Sequence, residues 1–71
     1  MINLSIVIPL FNEEESLNLL AEEIIKVLSV SNYTYEIIFV DDGSNDSSWK
    51  IIKKLNKNPH IKGLRLNKNC G

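Results

Sequence analysis

A single cysteine, Cys70, leaves no possibility of an internal disulfide in these 71 residues, which suits a reducing, cytoplasmic setting. Eight basic residues against nine acidic ones give a net charge of −1, so neither a nucleic-acid surface nor an anionic-membrane surface is expected. No apolar run approaches the ~20 residues of a membrane-spanning helix. The apolar opening, residues 1–11, lacks a basic lead and is stopped by Pro9 and Asn12, so it does not read as a signal peptide. Both classical phosphate loops are missing, since no Gly-x-Gly-x-x-Gly or Gly-x-x-x-x-Gly-Lys pattern occurs. Nucleophilic catalysis lacks its parts as well. The one histidine, His60, stands beside Pro59 and reads as a solvated loop residue, and Cys70 has no visible base. A chain this short buries only about 60% of the surface its unfolded form exposes. With no disulfide to help, self-association is the expected support.

What is present is a β-α-β-α-β pattern. Residues 4–9 (Leu-Ser-Ile-Val-Ile-Pro) read as a first strand that Pro9 closes, because proline cannot donate within a sheet. Asn12 then reads as a helix N-cap with Glu15 three positions on, an Asn variant of the capping box. Glu13, Glu14 and Glu15 would crowd the first turn, where the helix dipole favours negative charge. Leu17, Leu20, Ala21, Ile24, Val27 and Leu28 form one apolar stripe on a helix of roughly four to five turns. Residues 29–34 are polar and turn-like. Residues 35–40 form a second strand whose run Ile37-Ile38-Phe39-Val40 suits burial on both faces. Ser44 is placed to cap a second helix, with Asp46 in its first turn. Ile51, Ile52 and Leu55 give that helix a buried side, with Trp49 at its margin. Residues 61–66 alternate apolar with polar and read as a third, more exposed strand. That order implies parallel strands joined by right-handed helical crossovers, as in half of a doubly wound α/β domain.

The chemistry gathers where two strands end. One loop is Pro9-Leu-Phe-Asn-Glu13, the other Asp41-Asp42-Gly43-Ser44, and neighbouring parallel strands ~4.8 Å apart would bring both into one crevice. Ligands of open α/β sheets bind at that carboxyl edge. Carboxylates there cost desolvation free energy unless something pairs with them. Asp-Gly-Ser is also simply good turn chemistry. As a ligand site, the crevice is suited to reading a heterocycle: one carboxylate accepts from a ring N–H and another holds ribose hydroxyls. A calcium loop counted from Asp41 fails, because its third and twelfth positions are Gly43 and Ile52. A phospho-receiver reading fails because the third strand ends in Leu66-Asn67 rather than in an aspartate.

Three blocks, Ser5-Ile-Val-Ile-Pro-Leu-Phe-Asn-Glu13, Tyr35-Glu-Ile-Ile-Phe-Val-Asp-Asp-Gly-Ser-Asn-Asp46 and Leu64-Arg-Leu-Asn-Lys-Asn-Cys-Gly71, stand in order along the chain. Together they resemble the N-terminal part of a family 2 glycosyltransferase, most closely the polyprenyl-phosphate (dolichol- or undecaprenyl-phosphate) sugar transferases. The resemblance implies that residues 1–71 form part of a GT-A, Rossmann-like domain that binds a nucleotide-sugar donor, with a divalent metal, Mg or Mn, in the full-length enzyme. It implies that the loop carrying Pro9, Phe11 and Glu13 contacts the nucleoside. Asp42 would bond the base, while Asp41 shapes the site or reaches the ribose. Ser44 belongs to the same motif, and Asn69 and Gly71 would lie near the diphosphate. The family usually has an aromatic where this chain has Cys70. Its Asp-x-Asp metal motif and catalytic base come later than these blocks and are not in this sequence. The chain therefore reads as an N-terminal donor-binding piece, inactive by itself, with no catalytic residue and no metal ligand assigned. A stand-alone nucleotide-binding or protein-interaction module is the other reading. The GT-A resemblance also implies that the first strand lacks a neighbour on its far side, which points to a homo-oligomer through that edge.

Overall fold

The computed structural model describes residues 2–66. Strand β1 (Leu4–Leu10), helix α1 (Leu17–Ser29), strand β2 (Tyr35–Asp41), helix α2 (Ser48–Leu55) and strand β3 (Ile61–Arg65) follow one another along the chain. The three strands form one parallel sheet in the order β1-β2-β3. This is the β-α-β-α-β arrangement expected of the first half of a GT-A domain.

Two successive right-handed crossovers stepping the same way across a sheet put both helices on one face. The burial pattern agrees. Ile37 and Phe39 of β2, Leu17 of α1 and Ile52 of α2 have at most 1% of their surface exposed, and Leu10, Ala21, Leu28, Tyr35 and Ile61 complete the core. Burying side chains of this size stabilises by about 1.5–3 kcal/mol each. The opposite face is far less covered. Val7 is 59% and Leu64 56% exposed, and Ile38 and Val40 are only half-buried. The central strand is thus buried on one face and half-covered on the other, not buried on both.

Several local expectations are corrected. Helix α1 starts at Leu17 rather than just after Asn12, and its 13 residues make about 3.6 turns. Glu13, Glu14 and Glu15 precede it and do not form its first turn. Asn12 is no cap: it stands at φ 52°, a left-handed conformation that Asn tolerates better than most residues, and its side chain reaches the other loop. Ser44 does not cap α2, which begins four residues later. His60 is half-buried rather than solvated. Its ring stacks on Tyr35 with centroids 4.2 Å apart, and Nδ1 lies 3.2 Å from the Tyr35 carbonyl oxygen.

Of the apolar stripe read on α1, Leu17, Ala21 and Leu28 are buried, whereas Leu20 and Val27 are 37% and 67% exposed. Pro9 is the penultimate residue of β1. Asp42 N–H donates to the Leu10 carbonyl at 2.9 Å, so Leu10 faces β2. By alternation the position of the missing Pro9 N–H falls on the outer edge, where it costs no ladder bond.

Candidate functional site

Strand β1 runs into a loop over residues 11–16, and β2 into a loop over residues 42–47. Leu10 and Asp41 are partners in the register, so the two loops leave the sheet side by side. They are fastened together by side chains that accept backbone N–H groups. The Asn12 N–H donates to Ser44 Oγ at 2.8 Å and the Glu13 N–H to Ser48 Oγ at 2.8 Å. In return, the Asn45 and Asp46 N–H groups reach Asn12 Oδ1 at 2.8 and 3.4 Å. The Ser47 N–H donates to Glu14 Oε1 at 2.8 Å, and the Glu14 N–H to Asp46 Oδ2 at 3.3 Å. Short polar side chains compete well for backbone donors in such turns. Here each loop satisfies donors of the other.

Asp41 is the buried anchor of this clasp. Its side chain has no exposed surface. Oδ1 accepts the Ser44 N–H at 2.9 Å and the Ser44 hydroxyl at 2.6 Å. Among the described residues Oδ2 is buried without a hydrogen-bond donor, and the Arg65 Nε stands 3.7 Å away. Gly43, at φ 80°, supplies the left-handed step that lets Ser44 fold back onto Asp41.

Around Asp46, partial desolvation favours the neutral acid. Hydrogen bonds from the Ser48 hydroxyl and N–H, the Glu14 N–H and its own N–H outweigh it and lower the pKa below the ordinary value. The Ser48 N–H to Asp46 Oδ1 bond is 2.9 Å, so Asp46, with Glu14, serves the start of α2 in the way expected of Ser44.

The candidate nucleotide-sugar-binding residues divide into three groups. Asp41 and Ser44 are buried and committed to each other. Phe11, 48% exposed, and Glu13 and Pro9, both exposed, stand at the carboxyl end of β1. The Glu13 carboxylate accepts the Ser16 hydroxyl at 3.0 Å. Asp42 is half-buried just beyond β2. Asn69 and Gly71 lie outside the described residues, as does Cys70.

A shallow depression of about 390 Å³ lined by residues 12–16 and Asp46 adjoins the clasp. Its three glutamates and one aspartate make it a poor seat for a diphosphate. Among the described residues, no group of three or more His, Cys, Asp or Glu side chains is arranged to hold a metal ion. They do not fit the divalent cation that the family resemblance implies. No described helix is long and apolar enough to cross a membrane.

Sequence reasoning missed Asn12, Glu14, Asp46 and Ser48 as cross-loop partners. The signal was there: both strand ends are followed by runs of Asn, Asp, Glu and Ser, more than two helix caps require. It missed Arg65 as a partner of the second loop, a contact that only the strand register reveals.

Parallel βαβ units with loops gathered at their carboxyl edge make this an open α/β protein, whose ligands bind at that edge. The match to known sequences is narrower. The model of glycosyl transferase family 2 matches residues 5–71, and the chain belongs to that family. Among similar proteins are the undecaprenyl-phosphate 4-deoxy-4-formamido-L-arabinose transferases of Photorhabdus laumondii and Pectobacterium atrosepticum. The first is 45% identical over 69 residues, covering 94% of this chain and 21% of that protein. The second is 44% identical over 71 residues, covering 97% and 22%. An uncharacterized glycosyltransferase of Synechocystis is 45% identical over 71 residues, covering 99% and 22%. The chain thus spans about a fifth of the length of the relatives it matches.

Proposed function

We propose that the chain forms the donor nucleoside half-site of a glycosyltransferase that moves a sugar from a nucleotide-sugar to a polyprenyl phosphate. The observation that carries this reading is the cross-loop clasp. It ties the loop that carries Phe11 and Glu13 to the loop that carries Asp42, with Asp41 and Ser44 buried at its base. Asp42 accepts from a base N–H, a charge-assisted contact. Pro9 and Phe11 offer apolar surface to the nucleoside, and Glu13 reaches a ribose hydroxyl. Asn69 and Gly71 serve the diphosphate. The relatives' names point to undecaprenyl phosphate as the class of acceptor, and we further propose the cytoplasmic face of a membrane, which is not in those names, as the place of action. A divalent ion, Mg or Mn, would supply charge neutralisation of a diphosphate in the full-length enzyme, and the described residues offer no ligand set for it.

The test is calorimetric titration of the chain with UDP, GDP and CDP sugars, with and without manganese. One nucleotide is expected to bind, and Asp42→Asn is expected to weaken it more than Glu13→Gln. Binding of none of the three defeats the reading, and the reverse order of the two substitutions defeats the role assignment. Residues 1–71 alone are expected to transfer no sugar in a radiolabelled assay, and turnover above a protein-free control would contradict this.

A further inference from the structure

We infer that Arg65 is a positioning residue for the nucleoside-binding edge, acting through Ser44 and Asp41 rather than touching the ligand; this rests on the nucleoside-binding reading of the clasp. Arg65 closes β3, and its Cα partner in the sheet is Asp41. Its guanidinium makes three different contacts. Nη2 donates to the Ser44 carbonyl oxygen at 2.8 Å. Nε faces Asp41 Oδ2, which has no donor among the described residues, at 3.7 Å. The guanidinium carbon lies 5.8 Å from the centroid of the Trp49 ring, within reach of a cation–π attraction.

Each contact fixes a different piece: the turn through Ser44, the buried acid through Asp41, and the first part of α2 through Trp49. Ser44 in turn holds the Asn12 N–H by its hydroxyl, so the grip of Arg65 passes to the first loop as well. The 3.7 Å gap is longer than a hydrogen bond, so the attraction to Asp41 is that of a neighbouring charge. The bonded hold is on the Ser44 carbonyl. A planar fork reaches both at once. A lysine ammonium has one nitrogen and lacks the planar fork that serves the Ser44 oxygen and faces Asp41 from separate nitrogens.

A loop held this way presents Asp42 in one place. Released, it must be reordered when ligand binds, and affinity drops even though Arg65 never meets the nucleoside. The sequence shows Arg65 only as a cation near the end of an exposed strand. Side-chain exposure of 44% would ordinarily mark it as a surface residue of little consequence.

The experiment compares the unsubstituted chain with Arg65→Met and Arg65→Lys. It measures Kd for whichever of UDP, GDP and CDP binds best, well below the melting temperature, and amide hydrogen exchange at Asn12 and Asn45. Arg65→Met is expected to weaken Kd by about tenfold, with Arg65→Lys between it and the parent, and both to speed exchange at the two amides while the β2 amides keep their protection. A purely stabilising residue would lower the melting temperature and leave Kd and the two amides unchanged among folded molecules, which would overturn the inference. If Arg65→Met does not fold, Arg65→Lys decides, and parental affinity in that variant overturns it. If the parent binds none of the three nucleotides, the nucleoside reading fails, and the exchange rates alone decide whether Arg65 locks the two loops.

Discussion

Replacing Ser44 with alanine removes one oxygen and breaks two joints. The hydroxyl donates to the buried Asp41 carboxylate at 2.6 Å and accepts the Asn12 N–H at 2.8 Å. A hydrogen bond to a charged group contributes about 1.5–3 kcal/mol net. The Asn12 N–H, left without its acceptor in a half-buried place, costs about 1 kcal/mol more, the low end for an orphaned donor. The expected loss is therefore about 2.5–4 kcal/mol. For 71 residues the whole stability is roughly 4–10 kcal/mol, so the change removes a large share of it. The melting temperature should fall by about 10–30 °C. Ser48→Ala is the comparator. Its hydroxyl accepts the Glu13 N–H at 2.8 Å and donates to Asp46, a carboxylate nearer solvent than the fully buried Asp41, so the loss should be smaller than for Ser44→Ala. Urea unfolding followed by circular dichroism measures both. A Ser44→Ala loss below about 1 kcal/mol, or a larger loss for Ser48→Ala, would show that the clasp does not hold the loops together.

Gly63 faces α2 so closely that a β-carbon there would overlap Cγ2 of Ile52 and touch Cζ3 of Trp49 at 3.5 Å; Gly63→Ala should cost about 1–3 kcal/mol by overpacking. Combined with Ile52→Ala it should cost less than the two losses added, and strict additivity in urea titrations would contradict the contact. The lowered pKa of Asp46 means that the folded chain holds this proton less tightly than the unfolded one. Its contribution to stability is thus present above the ordinary aspartate value of about 3.9 and is lost as pH falls through the lowered folded value. Urea midpoints taken from neutral pH into acid should fall less steeply for Asp46→Asn, and an equal fall would refute this. The outer edge of β1, with no described strand beside it, lies next to a groove of about 340 Å³ lined by Ile6, Leu20, Glu23, Ile24, Val27 and Leu28. Light scattering is expected to give at least twice the 8.1 kDa chain mass, and a folded monodisperse monomer would contradict it.

The order of elements was legible because each carries its own period. The run from Ile37 to Val40 and the stripe through Leu17, Ala21 and Leu28 have one reading each, and the parallel sheet follows from their sequence. Loop chemistry was less legible because the same residue types serve two purposes. Asn12 followed by Glu15 satisfies the pattern of a capping box, and Ser44 with Asp46 that of a helix start. In the fold, Asn12, Ser44 and Asp46 spend acceptors on the neighbouring loop. A capping pattern is local, but the competing partner lies 32 to 34 residues away, and only the register of β1 against β2 brings it near. His60 was misjudged for the same reason, since Tyr35 is 25 residues away in sequence.

The one-sided placement of the helices bears on the site itself. Since α1 and α2 share a face and touch each other, the loops leading into them must also lie together, and that is what permits the clasp. A connection crossing to the other face after β2 would have carried residues 42–47 away from residues 11–16. The same geometry leaves Val7, Ile38, Val40 and Leu64 under-covered on the opposite side. Clasp and bare face are thus two consequences of one topology. The residues of the clasp can be perturbed separately from those of the bare face. Ser44, Asp41 and Arg65 lie at the carboxyl ends of the strands, whereas Val7 and Ile38 are register partners in mid-sheet. A substitution such as Val7→Lys on that face should therefore leave the loop hydrogen bonds in place, and amide exchange at Asn12 and Asn45 should stay at the parental rate.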